Sequence, residues 1–160
     1  MPRSSHWFYL GTVLTLMVIF PVLSIMLEVV ISKSPLDFLL IGSWFLFWGI
    51  GWRLLLAGVS QVVRPSFTMQ SIFKHDAVES HAIVRELGFA NLCVGLTAVV
   101  SLFIPVWRVP AAFIGGLFLG LAGIQHGIKG PVGLNEKVAM ISDLFLFLLM
   151  IAYLVFQIVP

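Results

Sequence analysis

The chain is 160 residues long, 60% hydrophobic and only 10% charged, with a mean hydropathy of +1.09, whereas soluble domains carry roughly a quarter charged residues. That balance excludes a water-soluble core protein, and the length suits one compact membrane domain. The net charge of +2 is too small for a nucleic-acid partner and reads instead as loop charge that sets membrane orientation.

From the N-terminus, Arg3 precedes an apolar run as it would in a signal peptide. The run Trp7–Ile31 is longer than the roughly 7–15 residues of a signal core, and no A-x-A-like cleavage site follows it. It reads as a retained first span. Four more spans are predicted at Phe38–Val63, Ile83–Val106, Ala111–Ile128 and Lys137–Val159, each near the ~20 residues a helix needs to cross a bilayer. Helices are required because lipid cannot satisfy bare backbone groups. Ser32-Lys-Ser-Pro35, Trp107-Arg-Val-Pro110 and Lys129-Gly-Pro-Val-Gly133 mark breaks, and Pro21 and Pro105 are expected to kink or end their helices. Between the second and third spans, Phe67 to Phe73 looks interfacial. Asp76-Ala-Val-Glu79 fits a capping box that starts the third helix in water. Cys93 is the only cysteine. It excludes a disulfide framework or a thiolate metal cluster, and within its apolar run it reads as a small buried hydrophobe.

Five spans put the termini on opposite sides. Arg3, Arg64, Lys74, Arg85, Lys129 and Lys137 fall on the N-terminal side, and only Lys33 and Arg108 on the other. The positive-inside rule therefore places the N-terminus in the cytoplasm.

Helical projection sorts the polar residues. On the second span Gly42, Gly49, Arg53, Ala57 and Ser60 share a small-residue stripe, and on the third Gly88, Asn91, Gly95 and Ala98 share another. The fourth carries the seam Ala112, Gly116, Gly120, Gly123 and Gly127, a surface suited to close helix approach and to a homo-oligomer. On the fifth, Glu136, Asp143, Met150 and Gln157 repeat every seventh residue. At a rise of 1.5 Å per residue, Arg53 and Asn91 lie roughly 13–15 Å from the inner end and Asp143 about 10 Å. His126 and Glu136 lie at the inner rim, with Glu86 slightly deeper. These residues are expected to line one pocket open to the cytoplasmic side.

Arg53 and Asp143 have two readings. They are either an ion pair that fixes how two helices pack, or a site where the Arg binds an anion and the Asp carries a proton; intramembrane charges commonly do both. A metal site is weakly supported: there is neither a Glu-x-x-His pair nor a His-Glu-x-x-His motif. His126, near a helix end, also reads as a C-terminal dipole partner, and as the lone histidine near membrane depth it argues against haem. Trp44, Trp48 and Trp52 form a ridge turned away from Arg53, read first as packing and second as a wall for a quinone, sterol or acyl chain.

At Arg85-Glu-Leu-Gly88-Phe-Ala-Asn91-Leu-Cys-Val-Gly95 the chain resembles small bacterial inner-membrane proteins of the DoxX-like kind. The resemblance runs from about Phe73 to Tyr153 and takes in Gln125-His-Gly127 and Asn135-Glu136 through Asp143. It implies a compact four- or five-span bundle with Glu86, Gly88, Asn91 and Gly95 as signature residues. Some members are linked to redox or respiratory complexes, and no reaction is implied.

The sequence thus points to an all-α bundle of five transmembrane helices in the inner (plasma) membrane. The expected function is binding of a lipophilic or anionic small molecule, a quinone among them, in an inner-leaflet pocket in contact with membrane lipid, as an accessory subunit; the sequence names no cofactor. Arg53 would hold an anionic group, Asn91 would orient it, and Asp143 would balance the Arg or carry a proton. Glu86, His126 and Glu136 would form the rim. Two alternatives stand beside it: a membrane enzyme with an acid–base set around Glu86, His126 and Asp143, and a proton-coupled transporter.

Overall fold

The computed structural model describes residues 3–69, 80–131 and 133–158. Every regular element among them is helical. Five helices are long and apolar enough to cross a membrane: α1 (Trp7–Ser32), α2 (Phe38–Val63), α3 (His81–Val100), α4 (Pro105–Lys129) and α5 (Leu134–Gln157).

The boundaries follow local chemistry. Lys33 closes α1 in the left-handed region at φ 51, two residues before Pro35. Asp37 opens α2, its Oδ1 accepting from the Leu40 amide at 2.7 Å, which satisfies one of the orphan N–H groups of the first turn. Gly130, at φ 76, closes α4, a conformation that costs glycine little.

The third boundary differs from expectation. α3 stops at Val100 rather than Val106, and Pro105 begins the next helix instead of ending this one. The residue before a proline is driven out of the helical region, and Ile104 is at φ −120, ψ 88. Proline itself suits a first helical turn, where no N–H is needed. The Asp76–Glu79 capping box and most of the Phe67–Phe73 segment lie outside the described residues. What is described of that segment is a short helical turn, Pro65–Thr68, with Thr68 and the following Met69 buried.

α2 is the centre of the bundle and touches each of the other four helices. Leu46 and Ile50, in its middle, are fully buried. The most extensive interfaces are α2 with α3 and α4 with α5, and both are built on glycine. A Cβ on Gly58 would lie 2.8 Å from the Gly88 carbonyl oxygen, and one on Gly95 would lie 2.8 Å from that of Gly51. In α4, a Cβ on Gly116 would meet Met150 and one on Gly120 would meet the Phe147 ring at 2.6 Å. The fourth-helix seam expected to join two copies is therefore filled by the chain's own α5.

Two wide π-type turns interrupt the helices, Thr15–Ile19 in α1 and Leu46–Trp52 in α2, and they touch each other. The first immediately precedes Pro21, which offers no N–H to the carbonyl four residues back. The Phe20 amide bonds instead to Thr15 O. The second ends directly at Arg53.

The Trp ridge packs onto α1. Trp44 donates to Glu28 Oε2 at 2.7 Å and Trp48 donates to Ser24 Oγ at 2.9 Å, while Phe20 lies 4.6 Å from Trp48 between ring centroids. Cys93 is exposed on α3 rather than buried, because the glycine face of that helix turns to α2 and carries Cys93 outward.

Because two of the three nearest atoms facing Gly58, the Gly88 oxygen and the Leu92 nitrogen, are backbone, Gly58→Ala is expected to lower stability by about 1–3 kcal/mol. Gly11→Ala, where nothing lies within 4 Å, is expected to leave it unchanged. Denaturant unfolding in mixed micelles measures both.

Candidate functional site

Arg53 is placed by the wide turn that ends α2's central segment, and Asp143 by the inward stripe of α5. That stripe is real: Asp143, Met150 and Tyr153 are all buried. The two helices run antiparallel, with Gly42 against Tyr153 and Gly49 against Leu146. Continuing this register brings residue 53 level with residue 143. The Arg53 Nη2 donates to Asp143 Oδ1 at 2.6 Å, with side chains 13% and 6% exposed. Two charges this deep must pair, since an unpaired one would cost several kcal/mol.

The pair uses one prong of the guanidinium. Arg53 Nη1 is buried without a hydrogen-bond partner. A guanidinium presents five donors in a planar fork, and the Tyr9 phenol lies close enough to the group to share a side-chain hydrogen bond with it. The phenol of Tyr9, on α1, adjoins both charges. On α4, Gly123 lets the chain pass close to Asp143, where a Cβ would be 3.2 Å from the Asp143 Cβ. His126, three residues on and half-buried, lies within electrostatic range of the same carboxylate. The arrangement is a cation, a carboxylate, a phenol and an imidazole, drawn from four helices.

Asn91 is buried, as expected, but is engaged elsewhere. Its Nδ2 donates to Gln61 Oε1 at 2.6 Å across the α2–α3 interface, and its Oδ1 has no partner. It joins the packing of α3 on α2 and is not bonded to the ion pair. Glu86 is exposed. The turn of helix that buries Gly88 and Asn91 points it away, so it is no part of a rim around Arg53. Glu136 is half-buried in the first turn of α5, two turns from Asp143. Among the described residues, no three His, Cys, Asp or Glu side chains gather as metal ligands would.

The expected open pocket is not where the charges are. A lateral groove of about 300 Å³ lies between α4 and α5, lined by Phe113, Gly116, Phe147 and Met150 among others. A smaller one of about 170 Å³ lies between α3 and α4 at Cys93, Thr97 and Ile114. None of the six candidate site residues lines either.

Sequence reasoning missed Gln61, Tyr9 and the link from Ser43 to Tyr153. Gln61 belongs to a second stripe on α2, Gly51, Leu54, Gly58 and Gln61, whose spacing of three and four was legible beside the first. Tyr9 sits near the start of an apolar run and carried no signal of its own. Ser43, Tyr153 and Gln157 form a hydrogen-bonded chain through the Tyr153 hydroxyl at 3.2 and 3.0 Å, toward the opposite end of α5.

No family model, curated protein or solved structure matches the chain.

Removing one partner of a buried pair is far costlier than removing both. Arg53→Met and Asp143→Leu are each expected to lower stability by about 3–5 kcal/mol. The double variant is expected to recover most of that loss in the same unfolding titration. Additive losses would show that the two side chains act independently.

Proposed function

We propose that the chain is a multi-pass inner-membrane protein, N-terminus in the cytoplasm, that binds a lipophilic anion at Arg53. One observation carries this reading: the guanidinium nitrogen Nη1 is buried beside a nitrogen already paired to Asp143, and the further acceptor near the group is the neutral Tyr9 phenol. A carboxylate or similar oxyanion is a stronger acceptor than that phenol, and charge-assisted bonds of this kind are the strong ones.

The anion's route favours an amphiphile. α1 exposes Trp7, Phe8, Leu14 and Val18, and it meets α5 through a narrow contact. Tyr9 stands on that contact. A head group arriving from the bilayer passes between α1 and α5 and leaves its apolar tail in lipid, so no large enclosed cavity is needed. The preference of Arg64, Arg85, Lys129 and Lys137 for one end of the bundle puts the site in the inner half of the membrane. The DoxX-like resemblance agrees with a compact bundle and with the α3 glycines; the chemistry of this reading comes from the ion pair. A membrane enzyme remains the second reading, favoured by His126 standing near Asp143, although no nucleophile accompanies them.

A diazirine-bearing dodecanoate is expected to label α1, α2 or α5 on irradiation in nanodiscs. Arg53→Gln should cut the labelling about tenfold or more, matching the roughly 1.5–3 kcal/mol of one hydrogen bond to a charged group. Equal labelling of both proteins would remove the anion site. Orientation is checked separately: in a Cys93→Ala background, Ser5→Cys should react with an impermeant maleimide only from the cytoplasmic side.

A further inference from the structure

We infer that anion binding at Arg53 is coupled to uptake of one proton by Asp143, delivered past His126. This rests on the anion-binding reading and adds to it a stoichiometry and a path.

Charge count forces the coupling. In the ligand-free protein one guanidinium balances one carboxylate, and both side chains are nearly enclosed, at 13% and 6% exposure. Nη1 and the Asp143-paired Nη2 belong to the same planar group, so an anion that takes the place of the Tyr9 phenol at Nη1 stands close to Asp143. Two anions then share one cation, and two like charges confined together cannot both stay ionised in a low-dielectric site. A strongly acidic ligand keeps its charge, so the proton goes to Asp143. The balance is simple. One proton leaves the aqueous phase, the Asp143 carboxylate becomes a carboxylic acid, and the ligand replaces it as the counter-ion of Arg53. Net buried charge is zero before and after.

The groups facing Asp143 fit this exchange. From α2 comes Arg53, which holds the ligand; from α1 comes the Tyr9 phenol, a neutral donor and acceptor near both charges. From α4 comes His126, within electrostatic range of the carboxylate and half-buried three residues from the end of its helix. On α5 itself the nearest acid is Glu136, in the first turn at the same end of the bundle. An imidazole has two ring nitrogens that can pass a proton from one to the other, which suits relay. His126 is thus a positioning and relay residue, not a ligand of the anion. The glycines on either side of it, Gly123 and Gly127, keep α4 close to α5 along this path.

The probe is decanesulfonate, a lipophilic anion that does not itself titrate, added to the full chain in nanodiscs. Calorimetry in two buffers of different protonation enthalpy reports protons bound per anion, and Kd is followed against pH. One proton per anion is expected, with Kd rising about tenfold per pH unit where the linkage operates. Asp143→Asn should bind with no proton uptake and a flat pH profile. His126→Gln should bind the same number of protons but take them up at least about tenfold more slowly, read by stopped-flow with a pH dye. The wild-type proton count stands even if Asp143→Asn does not fold. Binding that depends on Arg53 without proton uptake would overturn the coupling and leave the anion site intact. Absence of any Arg53-dependent binding would overturn both.

Discussion

A guanidinium placed in the middle of an apolar helix has few ways to remain charged. Snorkelling fails for Arg53 because about ten residues, some 15 Å at the helical rise, separate it from the end of α2. It must find an acceptor inside the bundle, and Asp143 supplies one at 2.6 Å. That single requirement sets the register of α2 against α5, since sliding either helix by one turn would strand both charges. α2 touches the other four helices, so this register propagates through the molecule. α4 follows α5 through the glycine seam, and α3 follows α2 through Gly51, Gly58, Gly88 and Gly95.

The remaining helix is held differently. α1 has no glycine seam; it holds to α2 by two indole hydrogen bonds, to Glu28 and Ser24, by aromatic contact with Phe20, and by Val13 and Met17 in the core beside Leu46 and Ile50. These lie toward one end, while Tyr9 approaches the ion pair at the other. The charged site therefore lies between a tightly packed set of four helices and a less tightly packed fifth.

Much of this was legible in the residues. Apolar runs and turn signals located five helices, because lipid leaves the backbone no alternative to helix. Depth counting brought Arg53 and Asp143 together, because two antiparallel helices of similar length place equal depths side by side. The arithmetic failed where partners depend on which face meets which helix. Asn91 was assigned to the ion pair but faces Gln61, since nothing in one helix tells which neighbour covers its small-residue stripe. Glu86 was assigned to the rim on depth alone, and its face turned outward. The α4 glycines marked a helix-contact surface, and within the chain Gly116, Gly120 and Gly123 meet α5. The wide turns in α1 and α2 were invisible to a uniform 100° projection. Only Pro21 hinted at the first, and nothing local announced the second.

The account stands on direct contact between one side chain of α2 and one of α5 within a bilayer. Magic-angle-spinning NMR of protein in lipid, with 15N in arginine and 13C in the aspartate carboxyl carbon, measures that contact through dipolar dephasing. Arg53→Lys and Asp143→Asn samples assign the signal. A strong coupling between the Arg53 guanidinium and the Asp143 carboxylate, lost in either variant, is the predicted result. A spectrum in which wild type and variants dephase alike would mean that the charges do not meet, and would contradict the register of the bundle and the anion site together.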